Sequence, residues 1–194
     1  MAALLLATSA QAAVIGKADF VGVSVSDYEG LGLDFSTDTP LDIDGNTYNT
    51  DTDSIRYFSD FGGTVGGTAF GLGTESDSGF IEITLGGSYN QAGLQFGQDA
   101  AGTARISFFS GTTLLNSFEN TTTGIGGIFY GWDAGADLIT RVLVEDLSPT
   151  NGRILEIDDL HTGNSAVTAP VPLPAGLPLM LLGLGGLAVM RRKS

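Results

Sequence analysis

Phe129-Tyr130-Gly131-Trp132-Asp133 holds the residue types in this chain that most directly fit a ligand. In an extended segment successive side chains point to opposite faces, so Tyr130 and Trp132 share one face and Phe129 takes the other. If the shared face is wet, two rings beside the Asp133 carboxylate make a carbohydrate platform. Ring faces meet the apolar faces of sugars, and the carboxylate accepts from hydroxyls. Trp132 is the single tryptophan of the chain. Tryptophan is highly buried on average, so the alternative is that this pair belongs to the core.

Carboxylates offer a second chemistry. Asp42-Ile43-Asp44-Gly45-Asn46 resembles the tight turn of a D-x-D-G loop, with Asp38, Asp51 and Asp53 nearby in sequence. Calcium, which is satisfied by several such oxygens, is the cofactor these loops fit best, with Asp42 and Asp44 as candidate ligands. The spacing lacks the further Asp or Asn and the terminal Glu of an EF-hand. Solvated acidic loops without metal are the alternative. Asp159 joins the calcium candidates for another reason: if the alternation of Leu155 to Asp158 persists, Asp158 points outward and Asp159 inward. An inward carboxylate is costly without a cation or hydrogen bonds. His161 is the single histidine and there is no cysteine. A zinc site would therefore depend on carboxylates, and His161 reads as a solvated residue near the domain's end.

Catalytic signatures are missing from the sequence. It has no G-x-S-x-G elbow, no H-E-x-x-H and no glycine loop ending in G-K-[ST], and no catalytic residue is assigned. Phe61-Gly62-Gly63-Thr64 and the pairs Gly66-Gly67 and Gly86-Gly87 read as turns. A carboxylate-dependent polysaccharide hydrolase stays open, because a glycosidase needs only two carboxyls about 5 to 9.5 Å apart and the chain has 22 acidic side chains. All 22 lie between Asp19 and Asp159, and residues 13–165 hold five basic ones (Lys17, Arg56, Arg105, Arg141, Arg153), which leaves that region at −17. Nucleic acid and anionic lipid both need positive charge on their partner, so neither suits this region.

The elements that must position these residues are short strands. The 29 glycines fall in clusters between short apolar or β-branched runs with no Gly-x-y period, so turns are many and long helices few. The first half predicts strands at Val14–Val25, Thr47–Thr50, Ser54–Phe58 and Val65–Leu72, with a hairpin at Asp44-Gly45. The second half predicts strands at Phe80–Leu85, Ala92–Phe96, Ala104–Phe109, Thr113–Phe118, Ile125–Trp132, Leu138–Val144 and Arg153–Ile157. Ser110-Gly111 and Asn151-Gly152 read as hairpin turns. Ile81, Ile83 and Leu85 oppose Glu82 and Thr84, the period of a sheet with one wet face. No sustained 3.6-residue stripe supports βαβ units. The expected fold is all-β, an antiparallel β-sandwich of jelly-roll or lectin-like type, followed by a single C-terminal transmembrane helix. A single closed barrel is the second choice.

The two ends differ from the body. Met1 to Leu6 leads into a stretch where Ala10 and Ala12 occupy the −3 and −1 positions of a signal peptidase site, making residues 1–12 a signal peptide, incomplete for want of a basic start. Residues 13–165 form the acidic sandwich domain, 166–176 a linker and sorting motif, and 177–194 a transmembrane helix with a basic tail. From Val171 to Met190 the chain is uncharged for 20 residues, about 30 Å if helical and enough to reach across a hydrocarbon core. Arg191, Arg192 and Lys193 then form a basic stop that keeps the last residues cytoplasmic.

Val171-Pro172-Leu173-Pro174-Ala175, the apolar run after it and the basic cluster Arg191-Arg192-Lys193 together resemble the VPLPA-type C-terminal sorting domain, a relative of the PEP-CTERM signals on Gram-negative envelope proteins. The resemblance covers about 24 residues. It implies export, transient membrane association and processing by an exosortase-like transpeptidase, often in organisms that make exopolysaccharide. Ile154 to Leu160 is also similar to the final I-D-D strand of lectin-like sandwiches attached to such tails. Together these readings describe a non-catalytic cell-surface or extracellular matrix protein with exopolysaccharide as its expected partner. A purely structural envelope or biofilm component is the further alternative.

Overall fold

The computed structural model describes residues 11–28, 31, 36–52, 54–58, 71–74, 79–122, 126–148 and 154–165. Most of the leader, residues 65–70 of the strand expected over Val65–Leu72, the turn at Asn151-Gly152, the sorting motif Val171–Ala175, the helix after it and the basic stop Arg191–Lys193 lie outside the described residues. Among the described residues no helix is long and apolar enough to cross a membrane.

Fourteen strands are described: β1 Ala13–Ile15, β2 Ser24–Ser26, β3 Ser36–Asp38, β4 Leu41–Ile43, β5 Asn46–Thr50, β6 Ser54–Phe58, β7 Gly71–Thr74, β8 Phe80–Tyr89, β9 Gln91–Gln98, β10 Gly102–Ser110, β11 Thr113–Thr122, β12 Gly126–Asp133, β13 Ile139–Asp146 and β14 Leu155–Gly163. They form two antiparallel sheets. The first runs β1-β12-β9-β14-β7-β6-β3, with β2 added beside β14, and the second runs β11-β10-β13-β8-β5-β4. The protein is thus an all-β antiparallel sandwich.

The period-two pattern explains the core. Ile81, Ile83 and Leu85 of β8, Ala104, Ile106 and Phe108 of β10, and Val142 and Val144 of β13 are buried from the second sheet. They join Ala92, Leu94 and Phe96 of β9 and Leu155 and Ile157 of β14 from the first in one apolar cluster. Each sheet buries one face against the other, which is how strands too short to stand alone become stable. Tyr28, just after β2, and Tyr48 of β5 donate and accept between their hydroxyls at 3.1 Å across the two sheets, ring edge to ring face. Burial raises both phenol pKa values above the ordinary tyrosine value, and for Tyr28 the neighbouring Tyr48 adds to that rise.

Two turn expectations hold in detail. β4 and β5 form a hairpin through Asp44 and Gly45, both at positive φ (51° and 80°), the geometry of a type I′ turn. Ser110-Gly111 falls at the second hairpin, where Ser110 ends β10 paired with Thr113 and Gly111-Thr112 makes the turn into β11. Two others need correction. The β-branched run from Val14 to Val25 is not one strand: β1 and β2 are separated by a 3₁₀ turn at Lys17–Asp19. Nor do the strands flanking Asn151-Gly152 form a hairpin, since β13 pairs with β10 and β8 while β14 pairs with β9, β7 and β2 in the other sheet.

Candidate functional site

The aromatic pair singled out from sequence faces inward. Tyr130 and Trp132 pair with Leu94 and Ala92 of β9 and pack half-buried against the core. Tyr130 stacks on Phe118 of the opposite sheet with ring centroids 4.4 Å apart, and its hydroxyl accepts from Asn116 Nδ2 at 2.9 Å. The Trp132 indole Nε1 is enclosed, with no hydrogen-bond partner among the described residues. Asp133 shares the other face with Phe129, and its carboxylate accepts from Gln91 Nε2, the Gly135 amide and Ser165 Oγ. The three therefore do not form an open platform. Gly127, Phe129 and Gly131 occupy the outer side of β12, and the bulkier alternate residues fill the interior.

That outer side of the first sheet is crossed by the chain's own N-terminal strap. After β1 pairs with β12, residues 16–23 pass over β12, β9 and β14 before β2 joins β14. Lys17 Nζ donates to Gln95 Oε1 at 3.1 Å and pairs with Asp159. The Val21 amide donates to Gln91 Oε1, and the Val21 carbonyl accepts from the Asn164 amide. Phe20 lies edge-on to Phe129 and His161. Glycines make this close approach possible: a β-carbon on Gly131 would lie 2.7 Å from the Ile15 carbonyl oxygen, and one on Gly163 would lie 2.7 Å from that of Val21.

The carboxylates proposed for calcium are dispersed. Asp42 accepts from Thr47 Oγ1 at 2.6 Å across the β4–β5 hairpin, and Asp44 is exposed at its turn. Asp159 sits in the other sheet, at a break in the β14 register where its φ is 49°. The break turns Asp159 away from the expected inner side, while Asp158, ahead of the break, keeps the expected outer side beside its cross-strand partner Gln95. Asp158 is the enclosed carboxylate, its Oδ1 accepting from the Asp159 amide, while Asp159 turns to the Lys17 ammonium, the cation this structure gives it. Among the described residues no three His, Asp or Glu side chains are grouped to hold a metal ion. His161 is half-buried beside Phe20 and Phe129 rather than solvated, and burial lowers its pKa below the ordinary histidine value, opposed by Asp159 and assisted by Lys17.

The wet face of the second sheet presents a different arrangement. Cross-strand register places Glu119, Arg105, Glu145 and Phe80 in one row, Ser117, Ser107, Leu143, Glu82 and Asn49 in the next, and Leu114, Phe109, Arg141, Thr84, Thr47 and Asp42 in the third. The apolar members fall on a diagonal. Leu114 lies beside Phe109, and Phe109, Leu143 and Phe80 then occupy adjacent strands, each one row further along. Diagonal neighbours in a sheet are roughly 7 to 8 Å apart, so this oblique stripe runs for about 20 Å. Leu114 is exposed and the other three half-buried.

Ion pairs flank the stripe on both sides. On one, Arg105 Nε and Nη2 donate to Glu145 Oε2 at 3.2 and 2.9 Å, with Glu119 Oε1 3.8 Å from Nη1. On the other, Arg141 donates to Glu82 and lays its guanidinium 4.0 Å over the Phe109 ring. Each flank thus offers fixed N–H donors and carboxylate acceptors beside apolar surface. No sequence period points to this stripe, because its residues come from four strands, β8, β10, β11 and β13, of which only β10 and β11 are also consecutive in sequence. The wet-face positions of β8 were legible as the alternates of Ile81 and Ile83.

No family model matches the chain, and no curated protein matches it. Among solved structures it is similar to a carbohydrate-binding module, TmCBM61, in complex with β-1,4-galactotriose, at 12% identity over 63% of this chain and 90% of that one, with a TM-score of 0.46. It is also similar to a family 29 carbohydrate-binding module, at 17% identity over 74% and 92% of the two chains and a TM-score of 0.39. A variant family 29 module complexed with mannohexaose is similar at 16% identity over 74% and 95%, with a TM-score of 0.40.

Proposed function

We propose that the chain is a non-catalytic, lectin-like protein of the cell surface or extracellular matrix that contacts polysaccharide through the oblique stripe on its second sheet. The stripe carries this reading: half-exposed apolar side chains for sugar ring faces lie between two arginine–glutamate groups that serve hydroxyls as donors and acceptors. A hydrolase would need carboxyls free to exchange protons with substrate, whereas Glu82 and Glu145 are each bound to an arginine. The VPLPA-like tail supports the location, with an exosortase-like enzyme acting near Val171–Ala175 and exopolysaccharide as the surrounding material.

A glycan array probed with the full chain in mild detergent tests the binding part. Binding to at least one polysaccharide supports the reading, and no binding to any of them removes it. Mass spectrometry of the protein recovered from its host tests the sorting part, where a new C-terminus near Val171–Ala175 is expected and an intact Ser194 terminus counts against processing.

A further inference from the structure

The surroundings of the stripe also restrict the charge of what lies on it. Arg105 and Arg141 are its flanking cations, and both are already held by carboxylates. Across the three rows, Glu82, Glu119, Glu145 and Asp42 set four negative charges against those two positive ones. The region around them carries −17. A polyanionic chain would approach through a field of its own sign and would have to strip the arginines of their glutamates to gain counter-charges.

A neutral chain meets neither cost. Glu145 engages the Arg105 guanidinium through one oxygen, Oε2, so that Oε1 is left to accept, and on the other flank Arg141 contributes one nitrogen, Nη1, to Glu82. Because these pairs are formed before any ligand arrives, the donors and acceptors are held in place and little ordering is required on binding.

We infer that the stripe selects neutral, hydroxyl-rich polysaccharide over uronate-type polyanions, the chain lying obliquely over Phe109, Leu143 and Phe80 with one hydroxyl edge on each arginine–glutamate group. This rests on the polysaccharide reading above. Affinity electrophoresis of the full chain in mild detergent tests it, with β-1,4-galactan or galactomannan as neutral probes and alginate as the polyanion, each at about 20 and 200 mM salt. The chain is retarded in a neutral gel to within about twofold at the two salt levels, and runs freely in alginate. Leu143→Ser with Phe80→Ser lowers neutral retention at least about tenfold. Leu114→Ser, at an exposed position clear of the core, lowers it about threefold and keeps the test valid if the double variant does not fold.

Alginate retention that matches or exceeds neutral retention and weakens with salt overturns the selectivity while leaving polysaccharide binding in place. Neutral retention unchanged by Leu114→Ser and by the folded double variant overturns the assignment to the stripe. No retardation in any gel overturns the underlying reading, and the selectivity with it.

Discussion

Replacing Gly131 with alanine isolates the worth of the N-terminal strap. A β-carbon there would meet the Ile15 carbonyl oxygen at 2.7 Å and the Ile15 Cγ1 and Phe20 Cε2 atoms at 3.1 Å each. The first contact is with backbone, which cannot rotate away, so either β1 shifts by several tenths of an ångström or the strap lifts. A shift of that kind costs about 1 to 3 kcal/mol. Lifting is bounded by what docking contributes. The Val21–Gln91 and Asn164–Val21 hydrogen bonds and the short β1–β12 ladder are each worth about 1 kcal/mol net per bond. The half-exposed Lys17–Asp159 pair adds roughly 0.5 kcal/mol after screening. Ordering residues 16–23 offsets much of the sum.

Both routes converge on about 1 to 3 kcal/mol, or a melting drop of roughly 3 to 10 °C for a domain of this size. Thermal melting gives the total, and hydrogen exchange at the Val21 and Asn164 amides distinguishes a shifted strap from a lifted one. Gly22→Ala is the comparison. Gly22 has a φ of 60° and no atom within 4 Å of its would-be β-carbon, so it should cost only about 1 to 2 kcal/mol of backbone strain and leave the strap docked. If Gly131→Ala melts within 1 °C of the parent and both amides keep their protection, the close-approach argument is wrong.

Four further outcomes follow from the same contacts. Trp132 faces the core, so saturating polysaccharide should leave the protein's tryptophan fluorescence unchanged. A large spectral shift would return the site to β12. Arg141→Lys keeps a charge for Glu82 but loses the planar stack on Phe109, so neutral polysaccharide retention should fall several-fold while stability, followed by denaturant unfolding, changes by no more than about 1 kcal/mol. Because the Tyr28 and Tyr48 pKa values are raised on folding, the stability they contribute is complete below about pH 10, the unfolded value, and is lost as pH climbs toward the folded values. Ultraviolet titration should find these two phenols silent until the protein unfolds. The pKa of His161 is lowered on folding, so its contribution is complete above about pH 6.5 and lost as pH falls through the folded value. Lys17→Met should raise that value in an NMR titration, since the lysine acts to lower it.

Much of the fold was legible because burial of a sheet face writes itself into alternate residues. Ile81, Ile83 and Leu85 announced an inner face, and Asp44-Gly45 announced its turn through the positive φ that few other residues tolerate. Val14 to Val25 misled because β-branched residues favour any extended path, including a strap crossing a sheet, and nothing local separates the two. The inward turn of Tyr130 and Trp132 did leave a trace: Gly127-x-Phe129-x-Gly131 on β12 repeats the spacing of Gly93-x-Gln95-x-Gly97 on β9. Glycines on alternate positions of paired strands mark the side approached by other backbone. Asp159 was misplaced because one extra residue in β14 inverts every later side chain. The stripe was out of reach, since Phe80, Phe109 and Leu143 meet only through the register of β8, β13 and β10.

The place of β14 in the first sheet gives the protein a mechanical character. The strand leads into the chain beyond Ser165, and it is hydrogen-bonded to β9 along one side and to β7 and β2 on the other. A pull on that following segment enters the sheet along β14 and loads the hydrogen bonds on both sides in shear, so that several must yield together rather than one at a time. The strap adds a stitch at the same point, from Asn164 to Val21. Tension applied at this end therefore passes into a largely buried strand with bonded neighbours on both sides, and not into an edge strand that could peel away.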